Sequence, residues 1–304
     1  MTARFLLIAV AYFIPAGFAG AGEAEKRKTL EAEIAALEAS MKAATPEIED
    51  EMHEWESDLH LPVKWEPLTV VVAESRHGRL EPQPDGSLKA PPSLAGNEIY
   101  TIRATTTLKE ITAFRVEALL DSGTVGRSGN AVLTEFQATV APENAAPRPG
   151  NVRSLKFSSG SADFAQKGFG PQAAIDGDPK TGWAFLGATD KPHAAVFELS
   201  TPLGVGAGEL LTIVLWQDYT MQSLNRVRIS VTTKAPPVRE LPESIRETIA
   251  LEPSERTAEQ RAELLDYFRP MAKAYATVNK QIREKREELA KLKPAERSGG
   301  RRGK

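Results

Sequence analysis

A series of strand-like segments between residues 61 and 233 constrains the fold of this chain more than any other feature. The segments are rich in Val, Ile, Thr and Phe, and clusters of Gly, Pro and Asp separate them. They cover residues 68–73, 98–104, 111–119, 131–140, 154–157, 194–199, 210–217 and 226–232. In the last segment, Val227, Ile229 and Val231 alternate with other residues, as in an antiparallel strand with one buried face. Because no helical pattern interrupts the series, residues 61–233 are predicted to form an antiparallel, jelly-roll-like β-sandwich.

A Pro-rich segment at 141–150 leaves the number of sandwiches open. It is compatible with a linker between two small sandwiches. A single sandwich is favoured, because each half alone supplies too few strands to enclose a core.

Helical arms are predicted on both sides of the strand-rich region. In the N-terminal arm, 23–60, apolar residues recur at the alternating spacings of four and three that are typical of a coiled coil, at Leu30, Ile34, Leu37 and Met41. The C-terminal arm, 240–293, repeats this spacing at Leu264, Phe268, Met271, Tyr275, Val278 and Ile282. The first arm is acidic and the second is basic from Met271 onward, which favours pairing of the two arms as a coiled-coil hairpin. Pairing with another copy or a partner protein, and polar helices lying over the sandwich, are the alternatives.

Local sequence signals predict where the helices of the C-terminal arm begin and break. Thr257 and Gln260 have the spacing of a capping box. Pro270 is predicted to kink the helix or divide it, because proline lacks a backbone donor. The basic, Gly-containing tail 294–304 is predicted to be disordered.

Residues 1–21 have the pattern of a signal peptide. Arg4 precedes an apolar run at 5–14, Pro15 interrupts the run, and small residues at 19–21 suit cleavage. The run is shorter than the roughly 20 residues that a membrane-spanning helix needs. We therefore expect an exported protein, periplasmic or at the cell surface, with no stable membrane span after cleavage. An uncleaved anchor and a buried N-terminal helix are the alternatives.

The composition of the chain and the motifs that it lacks exclude several classes of protein. Cysteine is absent, which excludes disulfides, a thiol nucleophile, Cys-ligated zinc and haem attached through C-x-x-C-H. The formal net charge of −3 gives no indication of nucleic-acid binding. The sequence contains no H-E-x-x-H, G-x-S-x-G, phosphate-loop or dinucleotide motif. Because the paired carboxylates of glycosidases have no spacing signature, a hydrolase stays a minor alternative to a protein that is not an enzyme.

The segment 173–184 has the pattern of a binding-face loop. The carboxylates of Asp176 and Asp178, separated by Gly177, suit a structural Ca²⁺ ion, which prefers oxygen ligands. A turn whose Asp side chains bond local amides is the alternative. Trp183 offers a flat ring for stacking on a sugar, or serves as a core residue.

A second set of possible ligand contacts lies at 216–225. Trp216, Asp218, Tyr219 and Asn225 form a possible carbohydrate-facing group. His193, at the start of a strand, is expected to be a structural hydrogen-bonding residue. Side chains on the polar face of the last strand, Arg226 and Arg228, are compatible with binding an acidic glycan or with simple solvation.

Several of these segments resemble, in the same order, the planctomycete cytochrome-c-associated surface proteins. The segment 126–136 reads Gly-Arg-Ser-Gly-Asn-Ala-Val-Leu-Thr-Glu-Phe and carries most of the resemblance. Further matching segments lie at 80–89, 111–119, 161–166, 173–184, 193–197, 226–232 and 256–261. The resemblance covers about residues 30–294. It implies the middle module of that family, similar to discoidin-type galactose-binding sandwiches, without the haem region and without the C-terminal conserved domain.

One departure from the family pattern affects the expected site. The family usually has His and Gly around one turn. In this chain the turn, at 218–225, reads Asp-Tyr-Thr-Met-Gln-Ser-Leu-Asn and has no His. The resemblance therefore gives little reason to expect the family's polar site in this loop. The sequence thus predicts an exported, non-catalytic module that recognises carbohydrate or a cell-surface glycan, without haem. The alternative is a structural protein whose arms join partner subunits, such as separately encoded haem or catalytic subunits.

Overall fold

The computed structural model describes residues 17–42, 45–59, 63–91, 96–143 and 150–292. The predicted tail 294–304 and most of the predicted signal peptide, 1–16, lie outside these residues. The chain forms two compact units. The helical unit comprises 1–60 and 255–304, and the strand unit comprises 61–254.

The strand unit is built from antiparallel strands, as the alternating pattern predicted. They are β1 (Glu66–Pro67), β2 (Thr69–Ser75), β3 (Gly78–Arg79), β4 (Glu81–Pro82), β5 (Leu88–Lys89), β6 (Glu98–Thr105), β7 (Glu110–Leu119), β8 (Val132–Leu133), β9 (Glu135–Pro142), β10 (Arg153–Ser154), β11 (Phe157–Ala162), β12 (Trp183–Ala184), β13 (His193–Gly204), β14 (Glu209–Gln217) and β15 (Arg226–Thr232). The larger sheet has the order β11-β13-β7-β15-β5-β4, with β1 also on β15. The smaller sheet has the order β10-β9-β14-β6-β2-β3, and β8 pairs with β12.

The two sheets share one hydrophobic core. Phe136 of the smaller sheet stacks on Phe197 of the larger sheet, with ring centroids 4.6 Å apart. Two further rings of the larger sheet contact Phe136, those of Phe157 at 5.1 Å and of Phe114 at 5.8 Å. Both sheets contain strands from before and after the segment 144–149, since β9 pairs with β14 and β7 with β13. The strands therefore form one unit, and the alternative of two small separate domains is not observed.

Several strands end or begin at the same end of the strand unit, which we call the loop end. In the larger sheet, Leu119 at the end of β7 pairs with Arg226 at the start of β15. In the smaller sheet, Gln217 at the end of β14 pairs with Glu98 at the start of β6. The short connection 218–225 joins the two sheets there. The side chains discussed below lie mainly on the loops of this end.

The helical unit contains α1 (Gly17–Ser40), α2 (Pro46–Leu59), α4 (Ala258–Phe268) and α5 (Ala276–Lys291). The apolar positions of α1 pack against those of α5, through Ile34, Leu37, Met41, Tyr275, Val278, Ile282 and Leu289. Ion pairs flank the contact, at Lys26–Glu288 (2.7 Å), Lys285–Glu33 (2.6 Å) and Arg286–Glu38 (2.7 Å). Arg27 bonds the carbonyl of Leu292, whereas Arg269 bonds that of Lys42, so the two helices run in opposite directions.

The predicted local signals of the C-terminal arm are confirmed. Thr257 and Gln260 form both hydrogen bonds of a capping box at the start of α4. Around Pro270 the helix is divided, because short 3₁₀ turns at Arg269–Met271 and Lys273–Tyr275 separate α4 from α5. Phe268 therefore packs on Trp55 of α2, at 5.3 Å, instead of continuing the apolar contact of α5.

Two further features complete the fold. The helix α3 (Glu243–Ala250) belongs to the strand unit, although its residues were expected in the C-terminal arm. A buried ion pair in the helical unit joins Arg256 to Glu56 through two hydrogen bonds of 3.0 and 2.7 Å. Within the described part of the chain, no helix is both long enough and apolar enough to cross a membrane.

Candidate functional site

A cluster of three amide side chains lies on the loop end. The Asn130 amide nitrogen donates to the side-chain oxygens of Gln166 and Gln222, each at 3.3 Å. Its side-chain oxygen accepts from the backbone N–H of Phe185 at 3.1 Å. Asn130 thus connects three loops that are distant in sequence. The nitrogens of the Gln166 and Gln222 amides have no hydrogen-bond partner among the described residues and are free to donate.

The tight turn that presents Asn130 depends on glycine. A Cβ atom on Gly126 would lie 2.2 Å from the carbonyl oxygen of Asn130, so any other residue would collide with the backbone. Gly129 has φ +79°, a left-handed conformation that favours glycine. The backbone N–H of Arg127 also bonds the carbonyl of Ser223 at 3.0 Å, which ties the turn to the 218–225 connection.

A pocket borders this turn. Its volume is about 370 Å³, and its lining comprises Lys89, Ala90, Asp121, Ser122, Thr124, Gly126, Arg127, Gly129 and Asn225. Asn225, one of the predicted ligand contacts, donates through its amide to the carbonyl and hydroxyl oxygens of Thr124, both at 3.2 Å. Its side-chain oxygen has no bond among the described residues and is available as an acceptor.

The pocket wall includes a strained backbone position. Ser122 has φ +55°, a conformation that non-glycine residues rarely adopt. The neighbouring carboxylate of Asp121 pairs with Lys89 at 3.0 Å. Such strain costs on the order of 1 kcal/mol or more and is concentrated at sites where a particular backbone shape matters.

An aromatic pair and two exposed apolar side chains border the amide cluster. Tyr219, another predicted contact, meets Phe169 edge-on at 5.8 Å and donates its hydroxyl to the carbonyl of Lys180 at 2.7 Å. Leu186 is 60% exposed and Met221 is 43% exposed. The loop end therefore combines uncharged hydrogen-bonding groups with apolar contact surface.

Buried side chains pack beneath the loops of the loop end and support them. The ring of His193 lies between those of Phe164 and Phe185, at 5.0 and 5.5 Å. Its Nδ1 is 3.0 Å from the Asp163 carboxylate, and its Nε2 is 2.6 Å from the Ala188 carbonyl oxygen. Both ring nitrogens are thereby engaged within the protein, in agreement with the structural role expected for this histidine.

Trp183 belongs to the same buried support. It is fully buried, donates its indole N–H to the Phe164 carbonyl at 2.8 Å and meets Phe185 at 4.5 Å. No face of its ring is exposed for a sugar. Trp183 therefore acts as a core residue under the loop end, which is the second of the two roles that its sequence context suggested.

The Asp176 loop forms a compact turn beside the Tyr219 loop. Asp176 accepts from the backbone N–H of Asp178 at 2.8 Å, and Asp178 accepts from that of Lys180 at 3.0 Å. The Thr181 hydroxyl lies within 3.2 Å of four oxygens, those of the Asp176 carboxylate and of the Ala173 and Asp178 carbonyls. Gly177 has φ +83°, which explains the Asp-Gly pair. The local bonds expected of an Asx turn are thus present.

A buried carboxylate faces this loop. Glu135 is 7% exposed, and one of its oxygens, Oε1, has no hydrogen-bond partner among the described residues. Burial raises the pKa of Glu135. The neighbouring negative charges of Asp176 and Asp178 raise it further, whereas a hydrogen bond from the backbone N–H of Gly177 lowers it. In the described part of the chain, no three His, Asp or Glu side chains are grouped closely enough to hold a metal by themselves.

The sequence matches no protein-family model and no curated protein.

The remaining predicted contacts lie apart from the amide cluster. Trp216 is half-buried on the outer face of the smaller sheet, where its indole N–H donates to Gln137 at 3.3 Å. Asp218 follows that strand, and its backbone N–H donates to the Thr134 hydroxyl at 3.3 Å. The structure therefore divides the predicted carbohydrate-facing group. Tyr219 and Asn225 lie on the loop end, and Trp216 lies on a sheet face.

Arg226 and Arg228 are engaged by carboxylates. Arg226 pairs with Asp85 at 2.8 Å, and Arg228 bonds Glu117 through two nitrogens at 2.6 and 2.9 Å. Burial alone would raise the pKa of Glu117, but hydrogen bonds and charge from Arg228 and Arg115 hold that pKa below its usual range. The two arginines thus take part in an ion-pair network on the sheet surface.

That network extends into a second cleft, of about 440 Å³, on the larger sheet. Arg115 lies between two carboxylates and pairs with Glu117 at 2.7 Å and with Glu240 at 2.9 Å. Burial raises the pKa of Glu240. The cleft is lined by four cationic side chains and four carboxylates, so its formal charges balance: Arg115, Lys191, Arg228 and Arg246 against Glu117, Asp163, Glu240 and Glu243.

The amide cluster was not predicted from the sequence. Asn130, Gln166 and Gln222 all lie in segments that were singled out for the family resemblance or for its departure, at 126–136, 161–166 and 218–225. The one physical signal was Gly126, whose turn requires a close backbone approach. Amide side chains have no spacing signature, because they meet only when the loops converge.

Proposed function

We propose that this chain is an exported, non-catalytic β-sandwich module that recognises a glycan through its loop end. The observation that carries the proposal is the amide cluster of Asn130, Gln166 and Gln222, bordered by Tyr219 and adjoining a pocket lined by Asn225. Binding sites are concentrated on loops that a rigid scaffold holds in place, and these loops rest on buried groups such as His193.

The chemistry of this surface suits sugar hydroxyls. Amides donate and accept hydrogen bonds in directions fixed by their planar geometry, and the free nitrogens of Gln166 and Gln222 supply donors. The exposed side chains of Leu186 and Met221 offer apolar contact for the C–H face of a pyranose, and Tyr219 adds an aromatic edge. Ligand sites usually combine a few oriented polar groups with apolar surface.

Four finer assignments form part of this proposal. The two sheets constitute a jelly-roll-like sandwich, supported by their shared Phe core. The α1–α5 contact constitutes a coiled-coil hairpin, supported by its apolar positions and flanking ion pairs. Export is supported by the pattern of residues 1–21, and the resemblance to the middle module of the planctomycete surface proteins is supported by the collinear segments.

A structural Ca²⁺ ion at the Asp176 loop is also proposed. The donor set is composed of oxygens, those of Asp176, Asp178 and the Ala173 carbonyl, which suits a hard cation. The buried Glu135 carboxylate, one of whose oxygens has no hydrogen-bond partner among the described residues, lies beside the same loop. A bound cation would offset the repulsion among these carboxylates and stiffen the loop that holds Tyr219.

The assembly alternative gains less support from the structure. The seam residues of α1 contact those of α5 within the chain, so these positions are already occupied. Among the described residues, the exposed large apolar side chains are Val71, Val152, Leu186 and Met221, all of the strand unit.

The proposal is tested by glycan-array binding of the purified chain, first with calcium and then with chelator. We expect binding to a defined glycan class, lost in a variant carrying Gln166→Ala and Gln222→Ala. Gln137→Ala is the matched control, because Gln137 is an exposed glutamine on the sheet face. Absence of binding in both conditions would refute the glycan proposal. If only the control variant lost binding, the site would lie on the sheet face around Trp216.

A further inference from the structure

We infer that the sugar recognised at the loop end carries an N-acetyl group, which binds between the Gln166 amide and the Leu186 side chain. This inference rests on the glycan proposal and adds the chemical class of the sugar. It follows from the hydrogen-bond balance of the amide cluster and from the apolar side chains beside it.

The amide cluster uses its oxygens within the protein and leaves hydrogens for a ligand. The Asn130 nitrogen donates to the oxygens of Gln166 and Gln222, and the Asn130 oxygen accepts from the Phe185 N–H. The Gln166 oxygen also accepts from the backbone N–H of Leu186 at 3.3 Å. Among the described residues, no group bonds the nitrogens of the two glutamine amides. What the cluster offers outward is therefore a pair of hydrogen-bond donors.

A surface of this kind selects ligands that accept hydrogen bonds. Carbonyl and hydroxyl oxygens can bind it, whereas the oxygens that the ammonium group of an amino sugar would need are already engaged. The three amides contact only each other and backbone groups in the described part of the chain, so no carboxylate bonded to the cluster could neutralise such a cation. An uncharged acceptor is the expected partner.

Exposed apolar residues stand next to both glutamines. The backbone N–H of Leu186 bonds the Gln166 oxygen, which fixes this exposed leucine beside that amide. Met221, also exposed, directly precedes Gln222. Its φ of +64° is rare for a residue with a side chain, and its N–H bonds the Gly96 carbonyl at 3.2 Å. The loop end thus pairs each free donor with an apolar neighbour.

An acetamido group combines the two features that this surface accommodates. Its carbonyl oxygen accepts a hydrogen bond, and the methyl group on the same carbon gains from contact with an aliphatic side chain. The carbonyl oxygen binds the Gln166 nitrogen, and the methyl group packs on Leu186. Because both glutamine oxygens lie 3.3 Å from one Asn130 nitrogen, the Gln222 amide is close enough to donate to a hydroxyl oxygen of the same sugar.

The test compares sugars that differ in one substituent. Glucose, galactose and mannose are each presented to the purified chain on the same linker, with a hydroxyl, a free amine or an N-acetyl group at carbon 2. We expect the N-acetyl form of at least one series to bind about tenfold more tightly than its hydroxyl form, the order that one hydrogen bond and one buried methyl group supply. The free-amine form should bind most weakly.

Variants locate the group. Gln166→Glu keeps an oxygen to accept from Asn130 and Leu186 but replaces the free donor with a carboxylate oxygen, so the preference should shift from the N-acetyl form to the free amine. Leu186→Ala, at an exposed position, should weaken binding of the N-acetyl form several-fold and leave the hydroxyl form unchanged. The matched control is Gln137→Glu, on the sheet face, where a carboxylate still accepts from Trp216.

The outcomes separate the two proposals. If the hydroxyl or amine forms bind as tightly as the N-acetyl forms, the N-acetyl class is overturned but glycan recognition stands. A preference for the N-acetyl form that survives both Gln166→Glu and Leu186→Ala also overturns the inference, because the group would then bind elsewhere. Binding to other glycans on the array, with no response to any N-acetyl form, has the same meaning. No binding to any sugar overturns both proposals.

Discussion

Replacing Asn130 with Asp tests how the loop end is held together. The two side chains have the same shape, but Asp exchanges the amide donor for a second carboxylate oxygen. In the native chain that donor serves both Gln166 and Gln222 at 3.3 Å. In N130D at neutral pH, a negative oxygen would face the two glutamine oxygens. The acceptor that receives the Phe185 N–H would remain in place.

The magnitude follows from these contacts. A typical intramolecular hydrogen bond contributes about 0.5–1.5 kcal/mol, and the two bonds lost are long, so their joint loss costs about 1–2 kcal/mol. Repulsion between the new carboxylate and the glutamine oxygens adds to this cost until the side chains rotate apart. For a domain of about 150–250 residues, 1 kcal/mol corresponds to roughly 2–4 °C in Tm. We therefore expect Tm of the strand unit to fall by about 3–8 °C.

Thermal unfolding and glycan binding are the two assays. Asn97→Asp is the matched control, because Asn97 uses its side-chain oxygen to accept from the Thr220 hydroxyl at 3.0 Å, and a carboxylate preserves that bond. Binding by N130D should be lost together with stability. An N130D chain as stable as N97D, with unchanged binding, would show that Asn130 does not hold the loops, and the proposed site would lose its support.

Three further predictions concern other parts of the molecule. Arg256→Met should destabilise the helical unit by about 3–5 kcal/mol, because it removes the guanidinium that pairs with the buried Glu56 carboxylate. Urea unfolding followed by helical circular dichroism measures this, and a double variant that also carries Glu56→Leu should recover most of the loss. Glu135→Gln should raise Tm at pH 7 in chelator, because the folded-state pKa of Glu135 is raised and its ionised form opposes folding. The gain should disappear as pH falls below the unfolded-state pKa, where both states are protonated, and a gain independent of pH would contradict the assignment. Trp183→Phe should cost about 1–3 kcal/mol through the lost indole hydrogen bond and poorer packing, with glycan affinity unchanged below the transition. Loss of affinity without loss of stability would instead place Trp183 in the binding surface.

Local features of the fold were predictable from the sequence because they depend on neighbouring residues. Alternation at Val227, Ile229 and Val231 predicted a strand with one buried face, and all three are buried in β15. The Thr257–Gln260 cap and the division at Pro270 were predicted from single turns of chain. Each of these signals depends only on residues a few positions apart, so it can be recognised without knowing the tertiary structure.

The candidate site was only partly predictable. Of the group predicted to contact a ligand, Tyr219 and Asn225 lie on the loop end, whereas Trp216 lies on a sheet face. Aromatic residues give the same sequence signal whether they are buried or exposed. Burial depends on what the other strands and loops place over the ring, which explains why Trp183 stayed ambiguous until the packing was known.

The sequence by itself determined the antiparallel strands, the helices at both ends and the glycine positions of the turns, since each follows from short-range periodicity or from a sterically restricted backbone. Only the tertiary structure decided which loops meet. Asn130 contacts Gln222 across 92 positions of chain, and Lys89 lines a pocket with Asn225 through the pairing of β5 with β15. Long-range strand pairing brings these side chains together, and their polar chemistry leaves no pattern along the chain that would reveal it.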